Sequence, residues 1–200
     1  MTCYKNIINF CTLKNINYNN LIRPNQVHGK NIKIVGEKEK GKVIANADGL
    51  ITKSSNIFLA VLVADCLPIS FHSNNLCGIL HVGWRGLAKG IIEESINLIL
   101  KLKENPSKVY FNIGPGISVC HFQIKEDVIN NFKNTEINNF LITKKQNKFL
   151  NIKKLAESIL KNHSVKKIKI SNDCTFCSKK YFSYRRDKNK ERMISITSIN

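Results

Sequence analysis

Nowhere does the chain string together the roughly 20 apolar residues that a membrane-spanning helix needs, which excludes a helical membrane span. Nor do residues 1–10, Met1-Thr2-Cys3-Tyr4-Lys5-Asn6-Ile7-Ile8-Asn9-Phe10, hold a sustained apolar core before Lys14, so the start does not read as a secretion signal. Disulfide grammar is missing too. The 7 cysteines are an odd number at irregular positions (3, 11, 66, 77, 120, 174 and 177) and fit a reducing compartment better than a stapled secreted fold. The chain has no internal repeat, no heptad series and no Ser/Pro-rich linker. Its 200 residues are enough to bury one continuous core and short for two. The expectation is a single, soluble, cytoplasmic domain.

Acidic residues are scarce: 14 Asp and Glu face 32 Lys and Arg, for a net charge of +18. Clustered, that charge would be a polyanion footprint. Here the lysines at 33, 38, 40, 42, 101, 103, 144 and 145 are scattered among Asn and Ile. The dispersal argues against nucleic acid as a partner and for a solvated basic surface that helps attract small phosphate-bearing ligands. Helix-turn-helix and base-stacking signatures are absent, as is the His-x-Glu with Pro-Cys-x-x-Cys signature of cytidine deaminases.

What the chain does have is short apolar runs punctuated by turns. Ile32-Lys33-Ile34-Val35, ended by Gly36, and the unbroken run from Ile57 to Val63 read as strands, the latter covered on both faces. Pro68 lacks an amide hydrogen, so strand pairing is expected to break there, with Cys66 at the bend. Leu76 to Leu80 and Val109 to Ile113 are further strands; Lys167 to Ile170 and Met193 to Ile196 alternate and should be half-exposed ones. From Arg85 to Lys103 the period becomes helical, with Ile91, Ile92, Ile96 and Ile99 on one face. The start of this helix, beside Arg85, would favour an anion. Shorter helices are expected over 126–133 and 153–161. Together these elements make an α+β fold, a single-domain mixed α/β sandwich.

Three segments carry the chemistry: Gln26-Val27-His28-Gly29, Ala64-Asp65-Cys66-Leu67-Pro68 and His81-Val82-Gly83-Trp84-Arg85-Gly86. Two imidazoles and one thiolate are a ligand set for a single zinc ion with a fourth position left free. Separations of 38 and 15 residues match no local zinc-finger spacing, so His28, Cys66 and His81 could meet only through the fold.

With Ala47-Asp48-Gly49, Ile113-Gly114-Pro115-Gly116-Ile117, Cys174-Thr175-Phe176-Cys177 and Phe182-Ser183-Tyr184-Arg185-Arg186-Asp187, these segments stand in the order found in the YfiH family, which the chain resembles over about residues 24–199. That family is also labelled the laccase-domain or polyphenol oxidase family, purine nucleoside phosphorylases and the peptidoglycan editing factor group. The resemblance implies a mixed α/β sandwich and one mononuclear Zn2+ held by His28, Cys66 and His81. It also implies purine nucleosides and phosphate as reactants, in phosphorolysis of adenosine, inosine, guanosine and methylthioadenosine and in deamination of adenosine. It divides the chain into a variable segment, 1–23, and a YfiH-like laccase domain, 24–200. A glycine-rich Thr-Arg-x-Gly-Gly segment of longer members is absent from residues 1–23, which touches the completeness of the substrate pocket.

Asp65 and Arg85 are the candidate catalytic side chains. Asp65 could relay a proton or orient a ligand, although strand alternation would turn it away from Cys66. Arg85 offers a planar fork of donors for phosphate, or else a structural ion pair. Trp84 could stack on a base or fill the core. Cys174 and Cys177 have no second Cys-x-x-Cys to pair with and read as packing residues; His72, Cys77, Cys120 and His121 are further metal-capable side chains. Phe182 to Arg186 could contact a base or phosphate, or anchor an interface. Copper is the alternative ion, but 5 histidines and no His-x-His pair are too few for a multicopper centre. The rival activity is a cysteine-type hydrolase in peptidoglycan precursor editing, with Cys66 as nucleophile and His81 as base.

Overall fold

The computed structural model describes residues 2–132 and 137–199. Helix α1 (Thr2–Leu13) leads into β1 (Leu21–Pro24), β2 (Ile32–Ile34), β3 (Val43–Ile44) and β4 (Gly49–Thr52). The apolar run expected to be a buried strand is β5 (Phe58–Val63), followed by β6 (Leu67–His72) and β7 (Cys77–Val82). Next come α2 (Trp84–Ala88), α3 (Ile91–Lys101), β8 (Tyr110–Ile113), β9 (Gln123–Ile124) and α4 (Glu126–Ile129). The chain closes with β10 (Leu141–Lys144), β11 (Asn147–Leu150), α5 (Ile152–Asn162), β12 (Lys167–Ile170), α6 (Tyr184–Asp187) and β13 (Met193–Thr197).

The strands form a six-stranded sheet in the order β12-β8-β6-β7-β4-β2, a four-stranded sheet β13-β5-β1-β3 and a small sheet β10-β11-β9. Alternation along each strand of the large sheet decides which layer a side chain joins. Leu50 and Ile79 point to the four-stranded sheet and pack with Ile22, Leu59, Val61 and Val63. Their neighbours Ile51 and Leu80 point the other way, into a core shared with Ile69 and Phe71 of β6, Ile92 and Ile96 of α3, and Leu155 and Ile159 of α5. The outer face of the four-stranded sheet is covered at Leu21 and Ala60 by Ile7 and Cys11 of α1. The result is a layered mixed α/β sandwich with helices on both outer sides.

Three expectations are corrected. The helical stretch from Arg85 is two helices, because Gly90 sits at φ +87°, a left-handed conformation that ends α2 and starts α3 on a new axis. The apolar face is as read: Ile91, Ile92, Ile96 and Ile99 are all buried. Pro68 does not break pairing; it is the second residue of β6, opposite His81 of β7. Its carbonyl accepts from the Gly114 N–H at the end of β8, so its ring nitrogen faces the position where that ladder runs out. Finally, the helix expected over 126–133 is the single turn α4, its far end at Lys133 lying outside the described residues.

Candidate metal centre and cavity

Topology brings the three ligand segments together. His81 lies near the end of β7 and Cys66 in the bend between β5 and β6, across the sheet pair from it. His28 lies in the loop after β1, at φ +57°. Their donor atoms all fall within 4.8 Å of one another, and the two imidazole rings meet edge to face with centroids 4.8 Å apart. Close approach depends on glycine: a Cβ at Gly83 would stand 3.0 Å from the Cys66 sulfur.

Asp48 is the residue that organises this corner. It is fully buried, and its Oδ1 lies 2.9 Å from His81 Nδ1. The same carboxylate accepts the backbone N–H groups of Val27, His28 and Gly29 at 3.1, 2.9 and 2.7 Å. These bonds hold the His28 loop in its left-handed turn. They also keep a proton on His81 Nδ1, which leaves Nε2 as the donor atom toward Cys66 and His28. Gln26 braces the same loop: its side-chain amide pairs with the Leu62 backbone through bonds of 2.7 and 2.8 Å.

Electrostatics follow from that geometry. Desolvation pushes Asp48 up, but the His81 ring and the Gly29 and His28 amides outweigh it and hold the carboxyl below its ordinary value. Desolvation likewise pushes the Cys66 thiol up; hydrogen bonds and positive charge from His28 and His81 reverse this and bring it down to about 6. His81, which burial alone would lower, is raised to about 9 by Asp48 and Cys66. Cys66 is therefore poised as a thiolate paired with the protonated His81 ring, and a soft divalent cation bound by the thiolate and the two rings would take the place of that proton.

The three side chains line a cavity of about 650 Å³. Arg85 is exposed on its wall with its guanidinium 4.3 Å from the Trp84 ring centroid, and among the described residues it makes no ion pair. Tyr184 and Arg185 of α6 also line it, with Lys188 and Arg192 from the segment between α6 and β13. Asp65, at φ +87°, is engaged through both oxygens, one taking the Thr175 hydroxyl and the other the Arg185 N–H, each at 2.7 Å. Its carboxylate thus ties α6 to the Cys66 bend.

The structure therefore places His28, Cys66 and His81 at one point, with Arg85 and Asp65 on the cavity around it. The helix start beside Arg85, where an anion is expected, is the N-terminus of α2, a helix of 5 residues. Asp48 was visible in the sequence as part of Ala47-Asp48-Gly49, but nothing local marked it as His81's partner. Lys188 and Arg192 could not be told from the other scattered basic residues. Cys174 and Cys177 are not isolated packing residues; they meet Cys120 and His121 in a second cluster.

A family model described as multi-copper polyphenol oxidoreductase laccase matches residues 2–200. A purine nucleoside phosphorylase of Campylobacter jejuni is 33% identical over 177 residues, covering 87% of this chain and 75% of that protein. Purine nucleoside phosphorylase YfiH of Escherichia coli is 32% identical over 176 residues, with 85% and 70% covered. Among solved structures, a YfiH protein of Bacillus licheniformis matches with a TM-score of 0.91 at 27% identity, over 96% of this chain and 79% of that one.

Proposed function

The chain belongs to the family described as multi-copper polyphenol oxidoreductase laccase, and from that membership and the cavity we propose that it is a metal-dependent purine nucleoside phosphorylase. The observation that carries the proposal is the convergence of His28, Cys66 and His81 on a cavity that is also lined by aromatic and basic side chains. Their donor set, two imidazoles and a thiolate with His81 oriented by a buried carboxylate, fits one Zn2+ with an open position. When bound there, zinc supplies a Lewis acid that polarises a substrate oxygen or water. Copper chemistry of the multicopper kind asks for more imidazoles than the 5 in the chain.

In phosphorolysis a phosphate oxygen forms a bond to the sugar's anomeric carbon as the bond to the purine nitrogen breaks; the base leaves with that electron pair and takes up one proton. The residues' task is to bring two reactants together and compensate charge. Arg85 and Arg185 line the cavity, and their guanidinium groups suit a phosphate dianion, that of Arg185 from a position held by the Gln123 carbonyl. Trp84, Phe122 and Tyr184 are the aromatic side chains of the cavity lining that a purine would meet, each paired with a cationic neighbour over its ring. Asp48 acts as a positioning residue for His28 and His81, and Asp65 positions Arg185 and the loop bearing Thr175. Deamination of adenosine belongs to the same proposal as a second reaction of this pocket. A cysteine-type hydrolase remains the second reading, favoured by the lowered Cys66 thiol beside two imidazoles.

One incubation separates them. Zinc-loaded protein is given adenosine with and without phosphate, and adenine, inosine and ribose 1-phosphate are resolved. Phosphate-dependent adenine release is the expected result; inosine formed without phosphate marks the deaminase reaction. Zinc-loaded protein that forms neither product overturns the nucleoside assignment. His81→Ala should lose both metal and turnover, and alkylation of Cys66 only after metal removal distinguishes a ligand from a free nucleophile.

A further inference from the structure

A second group of metal-type side chains lies outside the proposed pocket. Cys120 and His121 come from the turn after Gly116, and Cys174 and Cys177 from the loop between β12 and α6. Cys120 Sγ lies 3.7 Å from Cys174 Sγ and 3.6 Å from Cys177 Sγ. His121 Nδ1 lies 3.2 Å from Cys120 Sγ and 3.3 Å from Cys177 Sγ. All four donor atoms are within 4.8 Å of one another. In a tetrahedral site with Zn–S of about 2.3 Å and Zn–N of about 2.0 Å, sulfur–sulfur edges are about 3.8 Å and sulfur–nitrogen edges about 3.5 Å. The observed edges are close to those lengths, whereas a disulfide requires sulfurs about 2.05 Å apart.

We infer that Cys120, His121, Cys174 and Cys177 form a closed four-ligand zinc site, separate from the three-residue centre and structural in role. Four protein ligands leave no open position, the mark of a structural rather than a catalytic ion. The surroundings are built for it. The Ser118 N–H points at Cys174 Sγ from 3.3 Å, as amides do toward metal-bound thiolates, and the His121 ring is stacked on Phe176 at 4.0 Å. Arg186 donates to the carbonyls of Thr175, Phe176, Ser178 and Tyr181 at 2.8 to 3.2 Å, which fixes the Cys-x-x-Cys loop.

Lys153 gives independent support. Only 6% exposed, it makes no ion pair among the described residues, and its ammonium donates to the carbonyls of Ser171 and Asp173 directly before Cys174. Three thiolates and one divalent cation carry a net charge of −1, which adds to the Asp173 carboxylate as counter-charge for this buried lysine, whose electrostatic partners already include Cys174 and Cys120. The site also has something to hold. Cys174 bridges to Gly116, and Thr175 binds Asp65, so the ion would lock the loop that supports α6 and the basic cavity wall.

The test counts ions in the full chain, purified reduced and loaded with zinc. Wild type should hold about two equivalents and Cys66→Ser about one, because the four-ligand site does not use Cys66. Adding Cys120→Ser and Cys177→Ser to Cys66→Ser should remove the remaining ion. Cobalt(II) loaded into Cys66→Ser should give the intense visible bands and thiolate charge transfer of a tetrahedral site with three sulfur ligands and one nitrogen. Should the triple variant fail to fold, wild-type protein answers the same question: alkylation of Cys120 and Cys177, followed by mass spectrometry, should accelerate at least about tenfold when a chelator is added. A Cys66→Ser protein with no ion, a triple variant that keeps one, or reduced protein whose Cys120 and Cys177 react equally with and without chelator overturns the inference. Nucleoside turnover plays no part in this readout, so it fails or succeeds apart from the proposed activity.

Discussion

A single buried carboxylate shows how much of the site depends on residues that never touch a ligand. Asp48 satisfies three backbone amides and the His81 ring from a position with no solvent exposure. Asp48→Asn keeps the shape but gives the loop a neutral acceptor and one oxygen in place of two, leaving His81 or a backbone amide unpaired. Breaking a buried pair of this kind costs about 3 kcal/mol, and second-sphere changes typically weaken metal binding about 10- to 100-fold. The pH dependence has a definite sign. A carboxyl held below its ordinary value when folded contributes stability that is complete above about pH 4 and is lost as pH falls through the folded value. Urea midpoints of metal-stripped wild type should therefore fall steeply below about pH 4, and Asp48→Asn should flatten that fall. An unchanged profile in the variant would remove Asp48 from this role.

At the scale of elements, periodicity exposed the core and concealed the breaks. The burial of Ile91, Ile92, Ile96 and Ile99 was legible because apolar side chains at helical spacing have one place to go. The break at Gly90 was not, since glycine is tolerated in helices and only the backbone shows its φ of +87°. Ala at this position must adopt a left-handed conformation, so Gly90→Ala should cost about 1–2 kcal/mol in a urea or thermal melt. A neutral or stabilising result would mean that α2 and α3 can merge into one helix. The short strands β1, β3, β10 and β11 are not legible because they lack the β-branched alternation that marks β2 and β12, which are equally short. The metal ligands were easier to find than their supports. His28, Cys66 and His81 stand in distinctive segments, but Asp48 and the Cys120–His121 turn gain meaning only from partners 33 to 57 residues away.

For the molecule as a whole, the question raised by a charge of +18 is whether it acts everywhere or at one place. Scattered charge raises the local concentration of every anion slightly, whereas four basic residues around one cavity raise it there most, because low-dielectric walls focus the field. Arg85, Arg185, Lys188 and Arg192 surround the cavity, while Lys33 on β2 and Lys169 on β12 sit exposed at opposite edges of the large sheet. Screening shortens from about 30 Å at 0.01 M salt to about 10 Å at 0.1 M, so both contributions weaken with salt, but contact with bound phosphate survives best. The KM for phosphate should therefore rise several-fold over that salt range, with the KM for the uncharged nucleoside nearly constant. Neutralising Arg185 and Lys188 to Gln should raise the phosphate KM at least about tenfold, the effect of roughly 1.4 kcal/mol, while Lys33→Gln with Lys169→Gln removes the same net charge and should move it less than about twofold. Equal effects from the two pairs would assign phosphate capture to the overall field and leave the basic wall of the cavity without a specific part in it.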